Sequence, residues 1–317
     1  MENRVIPPAP LFRDPIYDGP TDPVIIWNRE EKCWWILYTQ RRSTDVNIGV
    51  SSIHGTKIGV ASSRDGAKWL YRGTLPNLDI EPGHNTFWAP EVIYAEGKYH
   101  MYVSYIQGVP TDWQYPRHIV HYTADNLWDW KFESILELSS DKVIDACVHQ
   151  LDSGEYKMWY KDERHSSHTY TAISKDLYKW EVLGPEITDG SHEGANVFVF
   201  GGKKWMITDR WDGLAVYQSD DFTNWTRCGE NILREPGKRP EDSSIGNHAD
   251  VLVINDQAYI FYFVHPEFPK EERRNRTKPL TYKEARTVLQ VAKLEVKDGC
   301  LVCDRDAEFY LELLVKE

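Results

Sequence analysis

The stretch Asp250-Val-Leu-Val-Ile-Asn-Asp-Gln-Ala-Tyr-Ile-Phe-Tyr-Phe263 decides the fold. An acid opens an apolar run, Asn255 and Asp256 interrupt it, and an aromatic run returns. This is the pattern of a β-hairpin closed by a tight turn. Four earlier segments repeat it: Asp22-Pro-Val-Ile-Ile-Trp27 with Cys33-Trp-Trp-Ile-Leu-Tyr38, Glu91-Val-Ile-Tyr94 with Lys98-Tyr-His-Met-Tyr-Val103, Asp145-Ala-Cys-Val-His149 with Glu155-Tyr-Lys-Met-Trp-Tyr160, and Glu193-Gly-Ala-Asn-Val-Phe-Val-Phe200 with Lys204-Trp-Met-Ile207. The five acids are 69, 54, 48 and 57 residues apart, the period of a four-stranded propeller blade with loop insertions.

A second repeat runs out of phase with the first: Ser63-Arg-Asp65 with Trp69, Ala124-Asp-Asn126 with Trp130, Ser174-Lys-Asp176 with Trp180, and Ser219-Asp-Asp221 with Trp225. Apolar residues precede each, so these are turns from a third to a fourth strand, with Trp packing between blades. Residues 287–295 and 300–314 supply the outer strands of the fifth unit. The expectation is an all-β, five-bladed β-propeller of four-stranded antiparallel blades, one domain over residues 1–317.

Composition bounds the function. A formal charge of −12 and the absence of a long basic stripe argue against nucleic acid as a partner. The one basic cluster, Lys270, Arg273, Arg274, Arg276 and Lys278, is mixed with Glu271 and Glu272 and reads as a solvated loop. No segment offers the ~18 apolar residues of a membrane span, and the proline-rich start has no apolar leader, so the expected location is cytoplasmic and no membrane partner is expected. Five cysteines, mostly within apolar strand patterns, read as reduced thiols. The lone Cys300/Cys303 pair supplies only half of a zinc site and no second pair exists, so zinc is not expected there.

In a propeller the first strand of each blade lines the axis, so residues that begin successive first strands converge on one face. Asp22, Glu91, Asp145, Glu193 and Asp250 stand at such starts, although strands are poor in Asp. Taken singly, each could cap a turn. Together they concentrate carboxylates in one pocket, where mutual repulsion keeps one protonated while another stays charged, as acid–base cleavage of an acetal requires.

With Thr21-Asp-Pro23, Trp88-Ala-Pro90, Ile144-Asp145, His192-Glu-Gly194 and Asn247-His-Ala249 in order at blade spacing, the chain resembles the five-bladed propeller glycosidases of glycoside hydrolase family 43, with features of family 117. The resemblance implies Asp22 as general base, Glu193 as general acid and Asp145 as the carboxylate that orients the acid. It also implies an inverting reaction with the first two ~6.5 to 9.5 Å apart. Family 117 adds His192 as a rival proton donor. His248 resembles a blade-five histidine that binds an axial Ca2+ or a water cluster; no cofactor is required.

Glu91, Asp250, Phe87, Trp88, Arg41, Arg42, His165, His168, Arg210, Trp211 and Asp212 are the candidates for lining and substrate binding, since loops on this face would build the sugar subsites. The expected substrate is a short oligosaccharide giving up one arabinofuranose-, xylose- or galactose-type sugar. A phosphorylase using Arg41, Arg42 or Arg210 for phosphate, and a sugar-binding propeller without catalysis, stand as alternatives. A homo-oligomer is left open.

Overall fold

The computed structural model describes residues 4–45, 48–268 and 280–313; the basic cluster at 270–278 lies outside them. The twenty strands form five four-stranded antiparallel sheets, each in simple up-and-down order. Blade one is β1 (Pro20–Asn28), β2 (Cys33–Gln40), β3 (Lys57–Ser63) and β4 (Leu70–Thr74); blade two is β5 (Thr86–Ala95), β6 (Lys98–Ile106), β7 (His118–Ala124) and β8 (Lys131–Ile135). Blade three is β9 (Val143–Gln150), β10 (Tyr156–Asp162), β11 (His168–Ser174) and β12 (Glu181–Ile187). Blade four is β13 (Glu193–Phe200), β14 (Lys203–Asp209), β15 (Leu214–Ser219) and β16 (Thr226–Arg227), and blade five is β17 (Asn247–Ile254), β18 (Gln257–Val264), β19 (Val288–Lys297) and β20 (Cys300–Cys303).

The strands β1, β5, β9, β13 and β17 touch one another in a closed ring around the axis. Burial follows from that closure, because each blade presents two apolar faces and each is covered by a neighbour. A core cluster sits at every blade interface, built on Trp35 and Phe87 between blades one and two, Tyr102 and Tyr160 between two and three, and Trp159 and Met206 between three and four. Trp205 and Tyr262 serve blades four and five, and Tyr38 and Phe261 close the circle. The N-terminal segment reinforces the closure, with Leu11 and Phe12 N–H donating to the Leu289 carbonyl.

The out-of-phase repeat is a structural turn. Ser63 Oγ accepts from Gly66 N–H at 2.9 Å and Asp65 Oδ1 from Lys68 N–H at 2.8 Å. Ser174 with Asp176, and Ser219 with Asp221, make comparable bonds, and Asn126 plays the aspartate's part in blade two. The cysteines depart from expectation. Cys228 and Cys300 form a disulfide, Cα–Cα 5.8 Å, across the outer strands of blades four and five, leaving Cys33, Cys147 and Cys303 free. The pair is 72 residues apart in sequence, and only the docking of adjacent blades brings it together.

Candidate active site

The site is built by a backbone irregularity that recurs in every blade. Pairing of each first strand with the second skips at two residues: Asp22-Pro23, Ala89-Pro90, Asp145-Ala146, Gly194-Ala195 and His248-Ala249. The first of the two has a positive φ in four blades: 49° at Asp22, 43° at Ala89, 58° at Asp145 and 59° at Gly194. Three of these carry a Cβ in a conformation that costs of order 1 kcal/mol, the kind of strain that collects at functional sites. Proline suits the second position, since a bulge leaves its N–H without a ladder partner.

The bulges sort the five acids into two groups. Asp22 and Asp145 occupy the first bulge position and Glu193 immediately precedes it, and all three line one pocket of about 370 Å3. Glu91 and Asp250 come two residues after it, deeper along the axis, beside a second cavity of only about 20 Å3. There they link blades: Glu91 Oε1 accepts from Val148 N–H at 2.7 Å, and Asp250 accepts from Ile25 N–H and the Asn196 amide, each at 2.8 Å. Cys147 Sγ and Asn196 Oδ1 make the matching bonds to Val197 and Val251 N–H. Burial and then the neighbouring Asp250 push Glu91 up to about 8. The expectation that Glu91 and Asp250 bind substrate is therefore corrected: they belong to a belt tying the blades together.

In the pocket, Asp145 Oδ2 accepts from Gly194 N–H at 3.1 Å, which fixes the acid-bearing strand directly. Burial raises Asp145 to about 6, with Glu193 adding to the shift and His248 opposing it. Asp22 accepts from the Thr21 hydroxyl at 3.0 Å and has Arg41 at 3.8 Å and His248 Nδ1 at 3.5 Å. Burial disfavours charge on His248, but Asp145, Asp22, Glu193 and Asp209 outweigh it and raise its pKa. Glu193 Oε2 bonds Lys161 Nζ at 2.9 Å and Oε1 accepts from the Trp211 indole at 2.9 Å. Burial would raise Glu193, yet Lys161 holds it near about 2.

Trp88 and Trp211 line the pocket as expected, and so does Arg41, lying over the Phe263 ring. Their sequence neighbours Phe87, Arg42 and Arg210 do not: on β5 successive side chains point to opposite faces, and after Arg210 the chain turns at Trp211, whose φ is 54°. Phe87 is fully buried against Tyr105. Arg42 clamps the Ser51 and His54 carbonyls, and Arg210 holds Asp189 and the Tyr217 hydroxyl. His168 begins β11 and His165 bonds Asp162; neither they nor Asp212 are among the lining residues.

His192 is also corrected. It is wholly buried, its Nε2 lies 2.6 Å from Thr169 Oγ1, and its Nδ1 bonds the Gly190 carbonyl. Burial lowers it to about 4, so at neutral pH it is a neutral imidazole whose Nδ1–H is given to the Gly190 carbonyl, not an imidazolium acid.

Several residues of the pocket escape the sequence reading, among them Asp209, Lys161, Glu163 and Trp113. Asp209 ends β14, accepting from Trp211 N–H at 2.7 Å and His248 N–H at 2.8 Å, and burial followed by Glu193 raises it to about 7. Lys161 is the last residue but one of β10, with Glu163 just beyond the strand. Trp113 stands 47% exposed at the mouth, its carbonyl fixed by Arg117 and Lys142. A signal existed for two of them: a polar residue stands within the last three positions of four second strands, Thr39, Ser104, Lys161 and Asp209. As for an axial cation, no group of three His, Cys, Asp or Glu side chains among the described residues is placed to hold a metal ion, and His248 turns its Nδ1 to Asp22.

No protein-family model matches the chain, and no curated protein matches it in sequence. Solved structures share its fold. A thermostable family-43 glycoside hydrolase superposes with a TM-score of 0.66 at 18% identity, over 92% of this chain and 95% of the other. A family-43 β-xylosidase/α-arabinofuranosidase from a compost microbial metagenome, in complex with xylotriose and calcium-free, gives 0.65 at 15% identity over 94% and 98%. A family-43 β-1,3-galactosidase with galactodeoxynojirimycin gives 0.64 at 15% identity over 92% and 96%.

Proposed function

We propose that the protein is an exo-acting, inverting glycoside hydrolase that releases one sugar from a short oligosaccharide. The observation that carries this reading is the convergence of Asp22, Asp145 and Glu193, from three different blades, on one aromatic-walled pocket. Asp22 is the general base: it takes a proton from water as the oxygen attacks the anomeric carbon. Glu193 is the general acid: it gives a proton to the glycosidic oxygen as that bond breaks, so the products are a free sugar and an alcohol. Asp145 keeps Glu193 in place through Gly194 N–H. Trp88, Trp113 and Trp211 offer faces on which sugar rings stack, and Arg41 is placed to bond hydroxyls. A volume at the small end of ligand clefts supports recognition of a terminal sugar. The names of the structural neighbours point to xylose-, arabinofuranose- and galactose-type substrates.

The test is hydrolysis of aryl β-xylosides, α-arabinofuranosides and β-galactosides, with proton NMR of the first-formed anomer. Asp22→Ala and Glu193→Ala should each lose at least about a thousandfold in kcat/KM on unactivated glycosides, with little change in Tm. Full turnover in Asp22→Ala, or a first product of retained configuration, would reject the assignment. Turnover strictly dependent on inorganic phosphate would favour a phosphorylase.

A further inference from the structure

The second strands carry a rule that holds in blades one, two and four and lapses in blade five, where the residue is Phe263, and in blade three. The residues paired just before each bulge are Thr39, Ser104, Lys161, Asp209 and Phe263. In blades one, two and four this side chain accepts the first bulge N–H of the next blade: Thr39 from Ala89 at 2.8 Å, Ser104 from Asp145 at 3.1 Å, Asp209 from His248 at 2.8 Å. Lysine accepts nothing. In blade three Asp145 takes over the duty toward Gly194 N–H, and Lys161 is released from the scaffold.

Its ammonium is spent on the pocket instead. Nζ lies 2.9 Å from Glu193 Oε2, 2.9 Å from Glu163 Oε1 and 5.3 Å from the centre of the Trp211 ring, and the side chain is only 6% exposed. Glu163 is itself held by Arg117 Nε at 2.8 Å. Both oxygens of Glu193 thus accept, one from Lys161 and one from the Trp211 indole. A carboxyl that is to donate a proton needs one oxygen clear. Trp211 is tied down by its own N–H to Asp209, whereas Lys161 already has a second carboxylate.

We propose that Lys161 is the positioning residue of Glu193, clamping it as a carboxylate in the free protein and withdrawing to Glu163 when the glycosidic oxygen docks, so that Glu193 can carry the proton it donates. The inference rests on the hydrolytic reading above. Glu193 gains one proton from solvent as the ammonium leaves and loses it to the departing oxygen, and Asp22 returns the proton taken from water. The other ionisable groups that act on Glu193 are Asp145, Asp209 and His248.

Two variants of the full-length protein test this. With Glu carboxyl carbons labelled with carbon-13 and the Glu193 signal assigned by its loss in Glu193→Gln, Glu193 should titrate well below the usual range in wild type and at least about two pH units higher in Lys161→Met. The alkaline limb of kcat/KM should move upward by about one unit or more in the same variant. Glu163→Gln, which keeps Lys161 but weakens its second berth, should lower kcat by about tenfold with Glu193 still titrating low and KM little changed. If Lys161→Met does not fold, the Glu163→Gln pattern decides, and Lys161→Arg should keep the low titration. An unmoved Glu193 titration in Lys161→Met overturns the clamp, and an unchanged kcat in Glu163→Gln overturns the withdrawal. Wild-type protein inert on every glycoside sinks the hydrolytic reading and the withdrawal with it, while the titration still decides the resting clamp.

Discussion

Replacing Asp250 by alanine separates an acid that links blades from one that touches substrate. In the structure Asp250 joins blade five to blade one through Ile25 N–H and to blade four through the Asn196 amide, both at 2.8 Å. The alanine variant removes two hydrogen bonds to a carboxyl, each worth about 0.5 to 1.5 kcal/mol net. The expected loss for the two is therefore about 1 to 3 kcal/mol. At about 2 °C per kcal/mol for a chain of this size, Tm should fall by about 2 to 6 °C. Asp250→Asn should lie between, because its carbonyl keeps Ile25 while its amide meets the amide of Asn196. The assays are thermal unfolding and kcat/KM on the best aryl glycoside, and the latter should stay within about threefold. A variant with unchanged Tm and at least about a hundredfold lower kcat/KM would refute the division of the acids into two groups.

Two further outcomes concern stability. His100 and His121 are buried between blades two and three, ring to ring, with nitrogens 3.0 Å apart; burial lowers both, His121 to about 3, with His100 as its next cause. Since their folded pKa values lie below the ~6.5 of the unfolded chain, the unfolded state binds more protons as pH falls, and stability that is complete above pH ~6.5 is progressively lost toward pH ~3. At pH ~4.5 His121 alone should account for about 3 kcal/mol, so urea unfolding of His121→Phe should show a flatter loss between pH 7 and 4.5 than wild type; parallel curves would contradict this. Breaking the Cys228–Cys300 link, which closes a 72-residue separation, by Cys228→Ser should cost about 2 to 4 kcal/mol in urea unfolding, and no change would show that the bond does not constrain the chain.

Hairpins and blade turns were legible because they depend on local chemistry: an Asn, Asp or Gly at a turn, a Ser-x-Asp that bonds its own backbone. The acids were legible as a set, but their heights along the axis were not. A two-residue bulge shifts register without altering the apolar pattern, so Glu91 and Asp250 read like Asp22 although they serve another level. His192, Phe87, Arg42 and Arg210 each adjoin a pocket residue without lining the pocket; for Phe87 this follows from alternation along β5, whereas Arg210 stands before the turn at Trp211. Lys161 and Asp209 lie near the ends of strands whose aromatic runs drew the reading elsewhere, and Trp113 sits in a connection whose path depends on its clamp by Arg117 and Lys142. The disulfide depended on a contact between blades that no spacing encodes.

The most direct test of the account is the dependence of Glu193→Ala on the leaving group. If Glu193 supplies the proton, the variant should fall by at least about a thousandfold on an unactivated disaccharide yet stay within about tenfold of wild type on a 2,4-dinitrophenyl glycoside, whose phenolate departs without one, while Asp22→Ala fails on both. Equal losses on the two substrates in Glu193→Ala, or none on either, would contradict the claim that this pocket divides acid and base work between carboxylates from separate blades.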